Sequence, residues 1–240
     1  MKKNLLAPAL ILLALAAAHA PAGAQKQPKP WTEWSRKETD KILNDSGWGQ
    51  TQTDTDTSEM VFQPTQVGIS PRREAEGANN QAVNVKYRIR FLSAKPMRQA
   101  IARSILLAQK EPTTEAVERL RKFADGRFYD WVVVAVTVET DDKKYSGKVF
   151  QDFAGSVTET LKNNTYLERA DGVRVFLAEY QSPKPDGLGA KFVFPRNHEG
   201  KPFLTPESGT VRFYSEVGKA VKLNMRFKVS NMLYEGALEY

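Results

Sequence analysis

Phe128-Tyr129-Asp130-Trp131-Val132-Val133-Val134-Ala135-Val136-Thr137-Val138-Glu139 is the stretch that decides the fold. Its centre is β-branched and apolar with no polar face, so it predicts a central strand covered on both sides. Helices must then pack on at least one face of its sheet, and three amphipathic segments are available. Pro96 opens the first, in which Met97, Ala100, Ile101, Ile105 and Ala108 recur at helical spacing. The second runs from about Thr113 to Ala124, with Glu115 and Glu118 early and Arg119, Arg121 and Lys122 late, matching the helix dipole, and Gly126 stops it. The third, about Lys148 to Lys162, carries a stripe of Phe150, Phe153, Val157 and Leu161.

Outward from these the period becomes that of strands. Asn84 to Leu92 sets Val85, Tyr87, Ile89 and Phe91 on one face and Lys86, Arg88 and Arg90 on the other, a half-buried strand. After Asn163-Asn164, strands are expected at Tyr166 to Arg169, Val173 to Tyr180, Ala190 to Phe194, Thr210 to Val217 and Val221 to Val229. Asp171-Gly172 and a Pro/Gly loop over 182–189 separate the earlier ones, and the last two form a hairpin around Gly218-Lys219. The pattern predicts an α+β fold: a mostly antiparallel sheet of about six to seven strands covered by about three helices, with an N-terminal helical arm.

That arm is expected over residues 25–64. Gln25 to Pro30 alternates Pro, Lys and Gln, an extended lead-in. Ser35-Arg36-Lys37-Glu38 has capping-box form, so a short helix is expected from Arg36 to Asp45, ending near Gly47. Thr51, Thr53, Thr55 and Thr57 then alternate with Gln52, Asp54 and Asp56, a strand with little apolar burial, which Met60, Val61 and Phe62 continue toward the core. Residues 65–82 show no period and are expected to form a long loop before an α+β domain over 83–240.

Residues 1–24 carry an address. Lys2 and Lys3 precede an uncharged run from Leu5 to Ala18, and Ala22-Gly23-Ala24 offers a small-x-small cleavage site before Gln25. The run is shorter than the roughly 20 residues that cross a bilayer and contains Pro8. The expectation is an exported protein, periplasmic or extracellular, without a transmembrane segment after cleavage near Ala24. With no cysteine in the chain, disulfides, thiolate metal sites and lipid attachment through an N-terminal cysteine are all excluded. The formal charge of +7 falls to about +5 once Lys2 and Lys3 leave, a mild excess that suits an anionic envelope polymer or a protein partner better than nucleic acid.

Familiar catalytic signatures are missing. Only His198 survives signal removal, in a turn-like stretch, so no His-x-x-x-His pair exists. Asp54-x-Asp56-x-Ser58 starts like a calcium loop, but Glu59 stands where Gly is needed and Thr65 where the bidentate Glu belongs. Gly200-Lys201-Pro202 lacks the other elements of a P-loop, and Gly-x-Ser-x-Gly and Ser-x-x-Lys do not occur. A carboxylate pair leaves no spacing signature, so Glu33, Asp130, Glu139, Glu168 and Glu179 leave glycan hydrolysis open.

Two features point to binding. Lys86, Arg88 and Arg90 share one strand face, and Lys222, Arg226 and Lys228 share another; neighbouring strands would merge them into a stripe for a polyanion, unless facing acids neutralise it. Trp31, Trp34 and Trp48 flank the first helix, either as a sugar-stacking or docking surface or as a clip that packs the arm onto the domain. Met232, Tyr234, Gly236, Leu238 and Tyr240 alternate in a way similar to the closing strand of outer-membrane β-barrels, although the helices fit that class poorly and a strand docked in a water-facing sheet fits better. The reading is an exported, soluble, non-catalytic binding or assembly protein of the bacterial envelope, with no catalytic residue, metal or cofactor assigned. Its alternatives are a carboxylate-dependent glycan hydrolase and an outer-membrane-associated β protein.

Overall fold

The computed structural model describes residues 29–56, 83–140, 143–219 and 221–240. The signal peptide expected over 1–24, the first part of the lead-in, the continuation at Met60 to Phe62, the loop expected over 65–82 and the Asp141-Asp142 turn lie outside the described residues.

Ser35 caps helix α1 (Arg36–Asn44), and its reciprocal bond with Glu38 is present: Ser35 N donates to Oε2 at 2.6 Å and Glu38 N to Ser35 Oγ at 3.2 Å. Strand β1 (Gly49–Asp56) follows and pairs antiparallel with β2 (Val83–Phe91). Helix α2 (Lys95–Ala108) has Pro96 in its first turn, and α3 (Thr114–Asp125) is capped by the Thr113 hydroxyl. Then comes β3 (Trp131–Thr140), whose Val132 to Val136 are all buried, third of five in the sheet order β1-β2-β3-(Gly189–Pro195)-(Glu179–Lys184). The central strand expected from the valine run is in place.

The third expected helix is two. Helix α4 (Lys143–Gly155) stops at Gly155-Ser156 and α5 (Thr158–Leu161) restarts after Val157, so the stripe is split: Phe153 and Leu161 are buried, whereas Phe150 and Val157 are exposed. Glycine followed by a serine whose hydroxyl returns to the Asp152 carbonyl ends the helix early.

The second half also departs from expectation at one strand. Val173 to Tyr180 is not continuous but divides into β5 (Arg174–Phe176) and β6 (Glu179–Lys184), which belong to different sheets. Leu177 N donates to Thr165 O and the next amide, Ala178 N, to Val193 O, so the chain changes sheets over two residues. Strand β7 (Gly189–Pro195) joins the five-stranded sheet, β8 (Asn197–His198) and β9 (Lys201–Pro202) form a separate ribbon, and β4 (Thr165–Arg169), β5 and the hairpin of β10 (Thr210–Val217) and β11 (Val221–Lys228) make a second sheet in the order β11-β10-β4-β5. The final residues form no long strand. After a 3-10 turn, β12 (Leu233–Tyr234) and β13 (Ala237–Leu238) make a tight ribbon whose two linking residues, Glu235 and Gly236, both have positive φ.

The class is α+β with antiparallel pairing, but the single sheet of six to seven strands is corrected to 13 strands in four sheets among the described residues, and the about three covering helices expected beside the helix of the arm become four, α2 to α5. The two large sheets face each other across an aromatic core: Phe91 meets Phe227 edge-on at 5.0 Å, and Phe213 meets Phe192 at 5.3 Å and Phe194 at 6.2 Å. Both sides of this sandwich are stitched. One is the β5 to β6 crossing; at the other, Gln52 of β1 donates to Lys222 O and accepts from Asn224 N, each at 2.8 Å, so a carboxamide stands in for a peptide group between two sheet edges. Helices α1 and α2 cover the outer face of the five-stranded sheet, where Gly49 lies against Leu43 and Met97. Gly47 is fixed by close approach: a Cβ there would sit 2.1 Å from Asn231 O. The outer face of the four-stranded sheet carries exposed and half-exposed side chains. Among the described residues no helix is long and apolar enough to cross a membrane.

Candidate functional site

A concavity of about 550 Å³ opens beside the start of α2 and is lined by the segment 125–129, Arg196 and the β12–β13 ribbon. Ala94, the N-cap of α2, has no side chain to satisfy the first amides. Glu239 does so from the far end of the chain, its Oε2 accepting from Lys95 N at 2.9 Å. The Lys95 ammonium in turn holds Glu235 at 2.7 Å and lies 5.8 Å from the Tyr234 ring centre.

One turn along α2, Arg98 is only 2 % exposed. Its Nη1 donates to Leu92 O and Ser93 O and its Nη2 to Gly126 O, joining the end of β2 to the C-cap of α3, while Nε is buried without a hydrogen-bond partner among the described residues. No carboxylate among them reaches ion-pair distance of this guanidinium. Its proton is held less firmly than usual because burial disfavours the charge; Glu239 and Asp125 act against that shift, and Arg196 adds to it. Phe128 lies 5.2 Å beneath it, a cation–π contact. Arg196 is fixed by Tyr240, bonding its main-chain oxygen at 2.6 Å and covering its ring at 4.0 Å.

The lining thus combines four cations, Lys95, Arg98, Arg127 and Arg196, with Asp125, Glu235 and Glu239 and with Phe128, Tyr129 and Tyr234. Tyr129 is 70 % exposed and offers its ring to the opening. Tyr234 donates to Gln99 Oε1 at 2.7 Å, and burial, with Glu235, Glu239 and Asp125 nearby, pushes its phenol up to about 12. A phenol this reluctant to ionise serves as a neutral donor rather than a base. Glu235 and Glu239 are both engaged by Lys95. The arrangement is built to hold charged and hydrogen-bonding groups.

The residues singled out from sequence lie elsewhere. Strands β2 and β11 are not neighbours: they fall in different sheets with β1 between them. Arg90 is taken up under α1, donating to Leu43 O at 3.0 Å and Asn44 Oδ1 at 2.8 Å, a cation on helix C-terminal groups, and burial lowers its guanidinium to about 10, with Arg88 adding and Glu139 opposing. Arg88 pairs with Glu139 at 2.5 Å, and Lys222 with Glu216 at 3.5 Å, so acids do face the cations. Lys86, Arg226 and Lys228 are exposed. Trp34 and Trp48 are buried; Trp48 Nε1 donates to Glu239 O at 2.8 Å and its ring meets Tyr234 edge-on at 6.1 Å, while Trp31 packs half-buried against the core. Of the acids considered for hydrolysis, Glu139 and Glu168 are ion-paired, Glu179 accepts from Gln181, and Glu33 and Asp130 are exposed; none lines the cleft. His198 lies half-buried on the β8–β9 ribbon, 3.9 Å from Glu199.

The cleft residues leave no signature in the sequence because they come from four separate segments with no shared motif. One signal was present: Arg98 and Gln99 sit inside the apolar stripe of α2, between Met97 and Ala100, where a helix facing only a core would be apolar.

No family model and no curated protein matches the chain. A crystal structure described as a novel protein of unknown function from Burkholderia pseudomallei K96243 is similar over 59% of this chain and 74% of its own, at 8% identity and a TM-score of 0.41.

Proposed function

We propose that this chain is an exported, non-catalytic binding protein of the bacterial envelope, and that the cleft at the start of α2 seats an anionic group of its ligand. Arg98 carries the reading. A buried guanidinium held only by backbone carbonyls, without a carboxylate counter-ion, leaves positive potential at the floor of a concave, aromatic-rimmed site. Arg127 and Arg196 add to it, the Lys95 ammonium is matched by Glu235, and Glu239 accepts from the Lys95 backbone amide. Export rests on the residues before Gln25, and the charged outer face of the four-stranded sheet supports a water-facing protein, the inverse of a lipid-facing barrel.

The test is titration calorimetry of the chain from Gln25 onward with trigalacturonate. Binding should weaken at least tenfold in Arg127→Glu and Tyr129→Ala, both exposed positions that leave the fold intact. An absence of binding, or unchanged affinity in both variants, removes the cleft as the ligand site. A hydrolase reading retains one observation in its favour, Asp125 in a cleft beside Tyr129; release of reducing ends from polygalacturonate, lost in Asp125→Asn, would replace binding with hydrolysis.

A further inference from the structure

The outer face of the four-stranded sheet is organised in two rows that cross the strands. The register pairs Arg174 with Glu168, Glu168 with Arg212 and Arg212 with Arg226, giving a charged row over β5, β4, β10 and β11. Beside it the same register lines up Phe176, Tyr166, Tyr214 and Asn224. The rings are preorganised: Tyr166 and Tyr214 stack at 5.1 Å, Phe176 meets Tyr166 edge-on at 5.9 Å, and Arg174 lies over Tyr166 at 4.4 Å and Arg212 over Tyr214 at 5.0 Å.

Glu168 is the acid in the charged row, and it is already shared: Arg174 Nε bonds one carboxylate oxygen and Arg212 Nη1 approaches the other at 3.5 Å. These two cations hold its carboxyl below the usual range, the Arg174 bond contributing most. Arg226, directly opposite Arg212, is exposed and makes no side-chain hydrogen bond or ion pair among the described residues. Like charges directly opposite in a sheet destabilise it; Arg212 is compensated by Glu168 and by its bond to Asn224 Oδ1 at 2.7 Å, which leaves Arg226 as the uncompensated member of the pair among the described residues. Lys228, two residues along the same face of β11, extends the unneutralised charge.

We infer that this face binds an anionic glycan bearing carboxylates, laid across the strands with its acid groups on Arg212, Arg226 and Lys228 and a sugar face against Phe176. Charge complementarity chooses the occupant: the row holds three arginines to one acid. Arg212 and Arg226 stand on adjacent strands about 4.8 Å apart, with Lys228 two residues along β11, so the three cations form one compact group at the β10–β11 end of the row. The ring arrangement disfavours the two other polyanions. Tyr166 and Tyr214 already close their faces on each other and on arginine, leaving little for a nucleobase to stack on. Phe176, 49% exposed, is the large apolar side chain of this face, too little for insertion into a bilayer. This surface is separate from the cleft and stands or falls without it.

The experiment measures binding of the chain from Gln25 onward to polygalacturonate by biolayer interferometry at low and at raised salt, beside a thymidine oligonucleotide and vesicles containing phosphatidylglycerol. The expected result is salt-sensitive binding to polygalacturonate that falls at least tenfold in Arg226→Glu and in Arg226→Thr, with Lys86→Glu unchanged. The melting temperature of Arg226→Thr should be unchanged or higher, since a like-charge contact is removed, which separates lost binding from lost folding. Wild-type affinity in both Arg226 variants would overturn the inference, as would equal or tighter binding to the oligonucleotide or the vesicles.

Discussion

Gln52→Ala should open the seam between the two sheets. The side chain makes two bonds across it, to Lys222 O and from Asn224 N, each 2.8 Å long. A net contribution of roughly 0.5–1.5 kcal/mol per bond gives about 1–3 kcal/mol for the pair. Both backbone groups lie near solvent and regain water when the amide is removed, which places the expected loss in the lower half of that range, about 1–2 kcal/mol. For a domain of this size that is a fall in Tm of about 2–8 °C. Gln52→Glu keeps the acceptor but sets a carboxylate against the Lys222 carbonyl, so it should lose at least as much. Urea unfolding followed by far-ultraviolet circular dichroism measures the loss, and hydrogen exchange at the Asn224 amide locates it. A loss below about 0.3 kcal/mol together with unchanged exchange at Asn224 would refute closure by this side chain; Thr53→Ala, on an exposed part of the same strand, is the control and should stay within about 0.5 kcal/mol.

Arg98→Met removes the donors to three backbone carbonyls and should cost about 1–3 kcal/mol by calorimetry, since the cost of stripping acceptors is partly offset by removing a buried charge, with Arg98→Lys recovering only part of it because an ammonium cannot span the same fork; equal stability of the methionine variant would show the carbonyls to be satisfied otherwise. Burial raises Tyr87 to about 12 from 10.0, with Asp54 and Asp152 adding, and Tyr180 is raised further by burial. The folded chain therefore holds these protons more tightly, so its stability is full below pH 10 and declines as pH rises toward 12, by up to about 1.4 kcal/mol per pH unit for each tyrosine. Tyr87→Phe should flatten that decline in urea titrations between pH 9 and 12, and an unchanged slope would contradict it. Gly47→Ala places a methyl 2.1 Å from Asn231 O and forces backbone apart, so a loss of about 1–3 kcal/mol is expected in thermal unfolding. Ser35→Ala removes a capping-box partner and should cost about 1 kcal/mol by the same measurement.

What the sequence disclosed was local. The valine run located the central strand, Ser35 and Glu38 located a helix start, and Thr113 and Gly126 bounded another, because each of these acts through neighbours in the chain. What it hid was long-range. Val173 to Tyr180 alternates as one strand would, and only the two amides that turn to different sheets, at Leu177 and Ala178, reveal the corner. The cationic face of β2 read correctly as a face, but its fate depended on Leu43, Asn44 and Glu139, partners supplied by other elements. The cleft was illegible for the same reason: Arg98 and Glu239 are brought near each other by tertiary packing alone.

The stitched sandwich also sets a clock. Gln52 and Lys222 are 170 positions apart, and Trp48 meets Glu239 across 191, so the contacts that complete the body close very large loops. Such contacts form late and make folding slow. If the proposed export takes the chain across the membrane unfolded, delay is useful: the early helices and hairpins can form and melt reversibly while the sandwich stays open. Mutations that hasten closure would then be expected to stabilise the protein in the test tube and to reduce the amount that reaches its destination.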